Sequence, residues 1–364
     1  MKKITLIAGA RPNFVKIAPI IHAIHKFQKE GFEIDYRLIH TGQHYDQNMS
    51  DNFFQQLEIP LPHINLEAGG GSQTELTANI MIRFEEDLKN HPTDLVLVVG
   101  DVTSTMACAI VTKKLNIKLA HVEGGIRSND WSMPEEINRL VTDAITDIFF
   151  TTSEYANQNL INSGVNENKI HFVGNTMIDT LLKQRSNFKK TEIWDNLNLK
   201  ENEFIVITLH RPANVDDANK LNELLIQIIE NSNNLPLIFP IHPRTKIMLE
   251  TLELNNPNLH IIDPLGYLEF NYLVEKAKLV ITDSGGITEE TTVLGVPCIT
   301  LRENTERPET VIEGTNELIG TDPKNIQPAL KKLFDGNWKK GSIPKNWDGK
   351  TAERIVNIVV NITY

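Results

Sequence analysis

The amino-acid sequence predicts an α/β protein made of two doubly wound parallel-sheet domains. Three observations carry that reading. Short runs rich in β-branched residues alternate with helix-periodic segments along nearly the whole chain. The runs are apolar almost without interruption, which suits strands covered on both faces rather than strands with one wet side. The plan then repeats, and 364 residues exceed the usual size of one domain.

The elements follow in order. Strand-like runs fall at 3–9 (KITLIAG), 34–40 (IDYRLIH), 94–100 (DLVLVVG), 117–123 (IKLAHVE) and 147–152 (DIFFTT). Each precedes a turn signal and then a periodic segment such as FVKIAPIIHAIHKF or TMACAIVTKKL. The second half offers 203–210 (EFIVITLH), 235–242 (LPLIFPIH), 259–264 (LHIIDP), 278–284 (KLVITDS) and 296–301 (VPCITL). The polar stretch KQRSNFKKTEIWDNLNLKEN marks the join. Domains are therefore expected at 1–177 and 178–348, with a terminal amphipathic helix, TAERIVNIVVNI, in 349–364.

Composition narrows the function. The net charge of −11, from 36 basic and 47 acidic residues, argues against nucleic-acid or anionic-membrane partners, which favour basic faces. The N-terminal MKKITLIAGARP is too short and too broken for a signal peptide, and no run is long enough to span a bilayer. Two cysteines, Cys108 and Cys298, lie far apart in apolar surroundings, so reduced buried thiols and a cytoplasmic location are expected.

In doubly wound sheets, ligands bind beyond the C-terminal ends of the strands. Residues there include Arg11, Asp101, Glu123, His210, His242 and Asp283 to Gly286, a concentration of charged chemistry at one edge. GARPNFVK (9–16) places Arg11 and Lys16 at a helix start, as an anion clamp or as solvated basic residues of a tight turn. GDVTST (100–105) puts Asp101 where it could cap a helix or act on a substrate. In HVEGGIRSNDWSMPEEINR (121–139), Glu123 precedes two glycines. Pro134 can open a helix with Glu135 and Glu136 in its first turn and Arg139 one turn on. The matching sites His210-Arg211 and His242/Arg244 favour a polyanionic ligand, and no His/Cys/Asp set has metal-ligand spacing. In DSGGITEE (283–290), Gly285 and Gly286 allow close backbone approach at a helix start, with Glu289 and Glu290 read into its first turn. Arg302 and Arg307 add positive charge. Neither a P-loop nor a G-x-G-x-x-G dinucleotide fingerprint is present, which removes support for nucleoside triphosphate hydrolysis and nicotinamide chemistry.

Taken in order, GARPNFVK, TGQHYD, GDVTST, HVEGGIR, MPEEINR, GNTMID, LHRPANVDD, IHPR, DSGGITEE, TERPE and GT-x₄-G resemble the non-hydrolysing UDP-N-acetylglucosamine 2-epimerases, from the first strand to about residue 322. The resemblance implies a GT-B fold of two Rossmann-like domains, with the active site in the cleft and the terminal helix crossing back to the N-terminal domain. It implies a homodimer, no metal and no cofactor. The reaction implied is interconversion of UDP-GlcNAc and UDP-ManNAc through 2-acetamidoglucal, supplying ManNAc for surface polysaccharide. By similarity, Asp101, Glu123, Glu135 and His210 fall on catalytic positions. Arg11, Lys16, Arg139, His242, Ser284, Gly285, Gly286, Glu290 and Arg307 fall on UDP-sugar-binding positions, Glu290 at the ribose and Arg307 beside the nucleotide.

Some positions depart from the family pattern. Ala10 and Asn13 stand where many members have Thr and Glu, and Glu123-Gly124-Gly125 replaces the frequent Glu-Ala-Gly. Hydrolysing relatives often share that Glu-Gly-Gly but lack the MPEE and TERPE context. The run Gln43-His44-Tyr45-Asp46 and the segment AGGGSQ (68–73) differ from those on which bacterial members build an allosteric substrate site. Related enzymes act on UDP-2,3-diacetamido sugar acids, an alternative substrate class, and a GT-B glycosyltransferase is a second alternative.

Overall fold

The apolar runs become strands, and every strand pairing is parallel among the described residues. The structure, a computed structural model, describes residues 1–43, 51–241, 243–249 and 256–362. They divide between two units, Met1–Thr180 with Lys345–Tyr364, and Leu181–Pro344.

The first unit holds β1 (Lys2–Ala8), β2 (Ile34–His40), β3 (Ile64–Asn65), β4 (Leu95–Val99), β5 (Lys118–Val122), β6 (Ile148–Thr151) and β7 (Ile170–Phe172). Their order across the sheet is β3-β2-β1-β4-β5-β6-β7. The second unit holds β8 (Ile205–Thr208), β9 (Leu237–Pro240), β10 (Leu259–Ile262), β11 (Leu279–Thr282), β12 (Cys298–Thr300) and β13 (Asn316–Leu318). Their order is β10-β9-β8-β11-β12-β13. Each sheet therefore reverses direction once, between β1 and β4 and between β8 and β11. Such reversal points open a crevice at the C-terminal ends of the strands.

Both faces of each sheet are covered, which explains the unbroken apolar runs. In the first unit, Ile4 and Leu6 of β1 join Phe14, Ile17 and Ile21 in one core, while Ile7 joins Ile80, Phe84 and Val98 in the other. Each such fully buried side chain contributes about 1.5–3 kcal/mol.

The terminal helix Thr151-free of the second unit's numbering is Thr351–Asn361, and its Ile355, Val356 and Val359 complete the first of those cores. Both ends of this helix are pinned within the first unit. The Asp179 carboxylate accepts the backbone N–H groups of Thr351 (3.1 Å) and Ala352 (2.7 Å). Lys2 Nζ donates to the carbonyls of Val359 (2.7 Å) and Ile362 (2.6 Å). These are the donor and acceptor groups that a helix leaves open at its two ends.

Candidate active site

In the first unit, the reversal point lies between the ends of β1 and β4. The helix Arg11–Lys29 starts there, with Ala10 at a cap position whose side chain has no oxygen to offer. Asn13 does the work instead: its Oδ1 accepts Gly9 N–H at 3.1 Å and Ala10 N–H at 3.0 Å, and its Nδ2 donates to Val99 O at 3.1 Å. The turn after β1 is thereby tied to the end of β4. Arg11 opens the helix, and Lys16, more than a turn later, reaches Glu123 Oε2 at 2.8 Å.

Glu123 follows β5 and is 3% exposed. Its φ of +71° is a left-handed conformation that a non-glycine residue adopts only under constraint. Gly100, at φ +68°, leaves room for the pair, since a β-carbon there would stand 3.5 Å from Lys16 Nζ and 3.9 Å from Glu123 Oε2.

The helix Pro134–Ile145 supplies the remaining acidic groups. Pro134 is its first residue, and Glu135 and Glu136 occupy its first turn. Arg139, 3% exposed, joins two carboxylates, donating Nε to Asp101 Oδ2 at 3.0 Å and Nη1 to Glu136 Oε2 at 2.8 Å. Glu136 also accepts from Ser128 N–H (2.9 Å), Ser128 Oγ (3.0 Å) and Asn129 N–H (3.1 Å). Burial alone would raise the Glu136 carboxyl, but these donors outweigh it and hold the group below its ordinary range. Glu135 is half-buried, and among the described residues its carboxylate has no hydrogen-bond or ion-pair partner. The cap of the helix Thr103–Lys114 is Val102, so Asp101 does not hold the cap position that one reading of GDVTST gave it.

In the second unit, β8 and β11 flank the reversal point. Asp283, fully buried after β11, accepts the backbone N–H groups of His210 (3.0 Å) and Arg211 (2.9 Å) and the Asn214 amide (3.1 Å). Its other oxygen lies 2.8 Å from His210 Nδ1, while the His210 side chain stays 52% exposed. Burial pushes the Asp283 carboxyl up, but His210 and the N–H donors prevail and hold it below its ordinary range. A charged acceptor at Nδ1 places a proton on that nitrogen and leaves Nε2 available to a ligand.

Ser284 caps the helix Gly285–Leu294 by position, with its hydroxyl unused for capping. The N–H groups of the first turn, at Gly285 and Gly286, are open in the manner of anion-binding helix starts. Glu289 and Glu290 are the fifth and sixth helical residues, so the first-turn placement read from the sequence is corrected: Ser284 rather than a later residue takes the cap. Neither acid opposes an anion at the turn. Glu289 pairs with Arg307, both buried. Arg302 pairs with Glu306 at 2.7 Å. Glu290 accepts from the Tyr267 hydroxyl at 3.0 Å. Burial raises Glu290 to about 7, with the Glu289 charge adding to the rise and the Tyr267 and Asn271 hydrogen bonds opposing it.

Residues 25–360 match the family model for UDP-N-acetylglucosamine 2-epimerase. The chain belongs to that family. The UDP-N-acetylglucosamine 2-epimerase of Methanocaldococcus jannaschii is 42% identical over 370 residues, which are 98% of this chain and 98% of that protein. A crystal structure of the M. jannaschii UDP-GlcNAc 2-epimerase in complex with UDP-GlcNAc and UDP matches with a TM-score of 0.85, covering 98% of this chain and 99% of that one. The UDP-2,3-diacetamido-2,3-dideoxy-D-glucuronate 2-epimerase of Pseudomonas aeruginosa is 39% identical over 322 residues, 87% of this chain and 88% of that protein.

The fold is that of these epimerases, two Rossmann-like parallel sheets, as the sequence predicts. Within this epimerase-family chain the expected residues sort into linked groups. Lys16 stands with Glu123, Asp101 with Arg139, His210 beside Asp283, and Glu290 with Tyr267. Arg139 and Arg307, expected at the UDP-sugar, have buried carboxylate partners in the chain itself. His242 lies outside the described residues, as does His44. Sequence reasoning did not assign roles to Asp283, Asn214 or Tyr267. For Asp283 a signal was present, because it ends a strand at the same sheet edge as the residues that were chosen.

Proposed function

We propose that the chain is a non-hydrolysing 2-epimerase that interconverts UDP-GlcNAc and UDP-ManNAc. The observation that carries the proposal is the set of carboxylates on the first unit, Asp101, Glu123 and Glu135, held by the turns after β4 and β5 and by one helix start. The identity to the M. jannaschii enzyme, crystallised with UDP-GlcNAc and UDP, supports it.

The assignment is as follows. A carboxylate of the first unit removes the proton at C2, the C–H electron pair forms the C1=C2 double bond, and UDP leaves C1 with the C–O bonding pair. In the return step a UDP oxygen re-forms the C1–O bond and a proton reaches the opposite face of C2. Glu135, half-buried at a helix start, is suited to exchange a proton, while Glu123 and Asp101 are oriented by Lys16 and Arg139. The Ser284-Gly285-Gly286 turn and His210 Nε2 are assigned to the diphosphate that develops charge as it leaves. Glu290 is assigned to the ribose hydroxyls.

The identity to the P. aeruginosa enzyme favours a second substrate, a UDP-2,3-diacetamido sugar acid. Proton NMR of the protein with each sugar nucleotide tests both readings. Appearance of UDP-ManNAc at constant total UDP-sugar supports the proposal. Turnover of the diacetamido compound alone supports the second reading, and release of free ManNAc and UDP refutes the non-hydrolysing assignment.

The proposal extends to a homodimer acting in the cytoplasm. Exposed apolar residues of the first unit, Ile82, Trp131 and Ile137, support the dimer, and two buried free cysteines support the compartment. Among the described residues no helix is long and apolar enough to cross a membrane.

A further inference from the structure

Beneath the loop that carries Glu123 lies a buried polar network that the assignment above leaves unused. The His121 ring is fully buried. Its Nε2 stands 2.8 Å from the carbonyl oxygen of Gly100, and its Nδ1 stands 2.7 Å from Asp143 Oδ1. The second Asp143 oxygen accepts the Gly125 N–H at 3.0 Å and Arg127 Nη1 at 2.6 Å. Burial works against charge on Asp143, yet His121 and Arg127 hold its carboxyl below the ordinary range. Buried ion pairs stabilise a fold little better than apolar residues of the same volume, so stability gives a weak account of this one.

Its connections give a better account. Gly100 immediately precedes Asp101, His121 stands two residues before Glu123, and Gly125 stands two residues after it. One carboxylate on the helix Pro134–Ile145 therefore grips the chain beyond Glu123 directly. Through the imidazole it also grips β5 before Glu123 and the residue before Asp101. Glu123 needs such a grip, because φ +71° is strained for a side-chain-bearing residue. Gly124 shows how tightly the loop is seated. A β-carbon there would lie 2.9 Å from Phe149 Cδ1 and 3.4 Å from both His121 Nδ1 and Asp143 Oδ1.

We propose that His121 and Asp143 are positioning residues that set the placement of Glu123 and Asp101, a role that rests on the catalytic assignment of those two carboxylates. Neither residue is assigned a contact with substrate.

The test is kinetic. His121→Gln and Asp143→Asn should each lower kcat by on the order of 100-fold, the loss produced by a small misplacement of reacting groups. UDP affinity should stay within about twofold of the wild type, because UDP contacts are assigned to the other unit. The double variant should lose no more than the worse single variant, since the two residues act as one unit. Folded variants with wild-type kcat, losses that multiply, or UDP affinity falling in step with kcat would each overturn the proposal. If either variant fails to fold, Arg127→Gln carries the test. Arg127 and Asp143 line a cavity of about 470 Å³ together with Lys169, so added methylguanidinium can reach the gap. A kcat loss of about tenfold that methylguanidinium partly restores is expected, and an unchanged kcat counts against the proposal. A wild-type protein that turns over neither sugar nucleotide would instead remove the functional reading itself.

Discussion

Glu290 shows how one residue's surroundings set a measurable behaviour. Burial raises its carboxyl to about 7, so near neutral pH it is divided between protonated and ionised forms. If the ionised form accepts from the ribose hydroxyls, uridine binds best above that pKa and loses affinity as pH falls through it. Calorimetry should show uridine affinity rising about tenfold between pH 6 and pH 8 in the wild type, with a flat profile in Glu290→Gln. Uridine is the proper probe because it lacks the phosphate groups of UDP, which titrate nearby. Glu290→Ala should weaken UDP itself by roughly 1–3 kcal/mol, the cost of losing a buried hydrogen-bond partner. A residue-scale reading of the sequence finds Glu290 through its family motif. It does not find Tyr267, whose hydroxyl donates to Glu290 from 23 positions earlier, because nothing local marks that pairing. Arg307 is harder still: read as positive charge for a nucleotide, it has a buried partner in Glu289.

At the scale of elements, the long apolar strands were legible and the short edge strands were not. β3 (Ile64–Asn65), β7 (Ile170–Phe172) and β13 (Asn316–Leu318) have two or three residues each and little apolar character. Pairing with an established neighbour, rather than any pattern of their own, makes them strands. The terminal helix was legible from its periodicity, but its two pins were not, since Lys2 and Asp179 are distant in sequence. Asp179 carries a testable consequence. Burial raises its folded-state carboxyl from 3.8 to about 6, against the N–H bonds from Thr351 and Ala352. An acid raised on folding contributes stability that is full below its unfolded pKa and is lost as pH rises through the folded value. Urea unfolding should therefore show the wild type losing roughly 1–1.5 kcal/mol relative to Asp179→Asn between about pH 5 and pH 7.5. A constant difference across that range would show that Asp179 does not titrate as its burial demands.

At the scale of the whole molecule, the account divides labour between two similar sheets. Each reverses once, and the assigned residues gather at the strand ends around that reversal: Arg11, Lys16 and Asp101 in the first unit, His210, Asp283 and Ser284 in the second. The sequence showed this edge because parallel strands announce their ends by a switch from apolar to charged residues. It could not show which charges neutralise one another across the fold, as Arg139 does with Asp101 and Glu136. The division predicts that Glu135→Gln abolishes exchange at C2 while UDP affinity stays within about twofold of the wild type. Loss of both together would merge the roles assigned to the two units. The most direct test of the central claim is deuterium incorporation at C2, followed by NMR with UDP-GlcNAc and the wild-type protein in D₂O. The account predicts that UDP-ManNAc appears bearing deuterium at C2. UDP-ManNAc formed with its C2 hydrogen retained, or no exchange and no epimer at all, would contradict it.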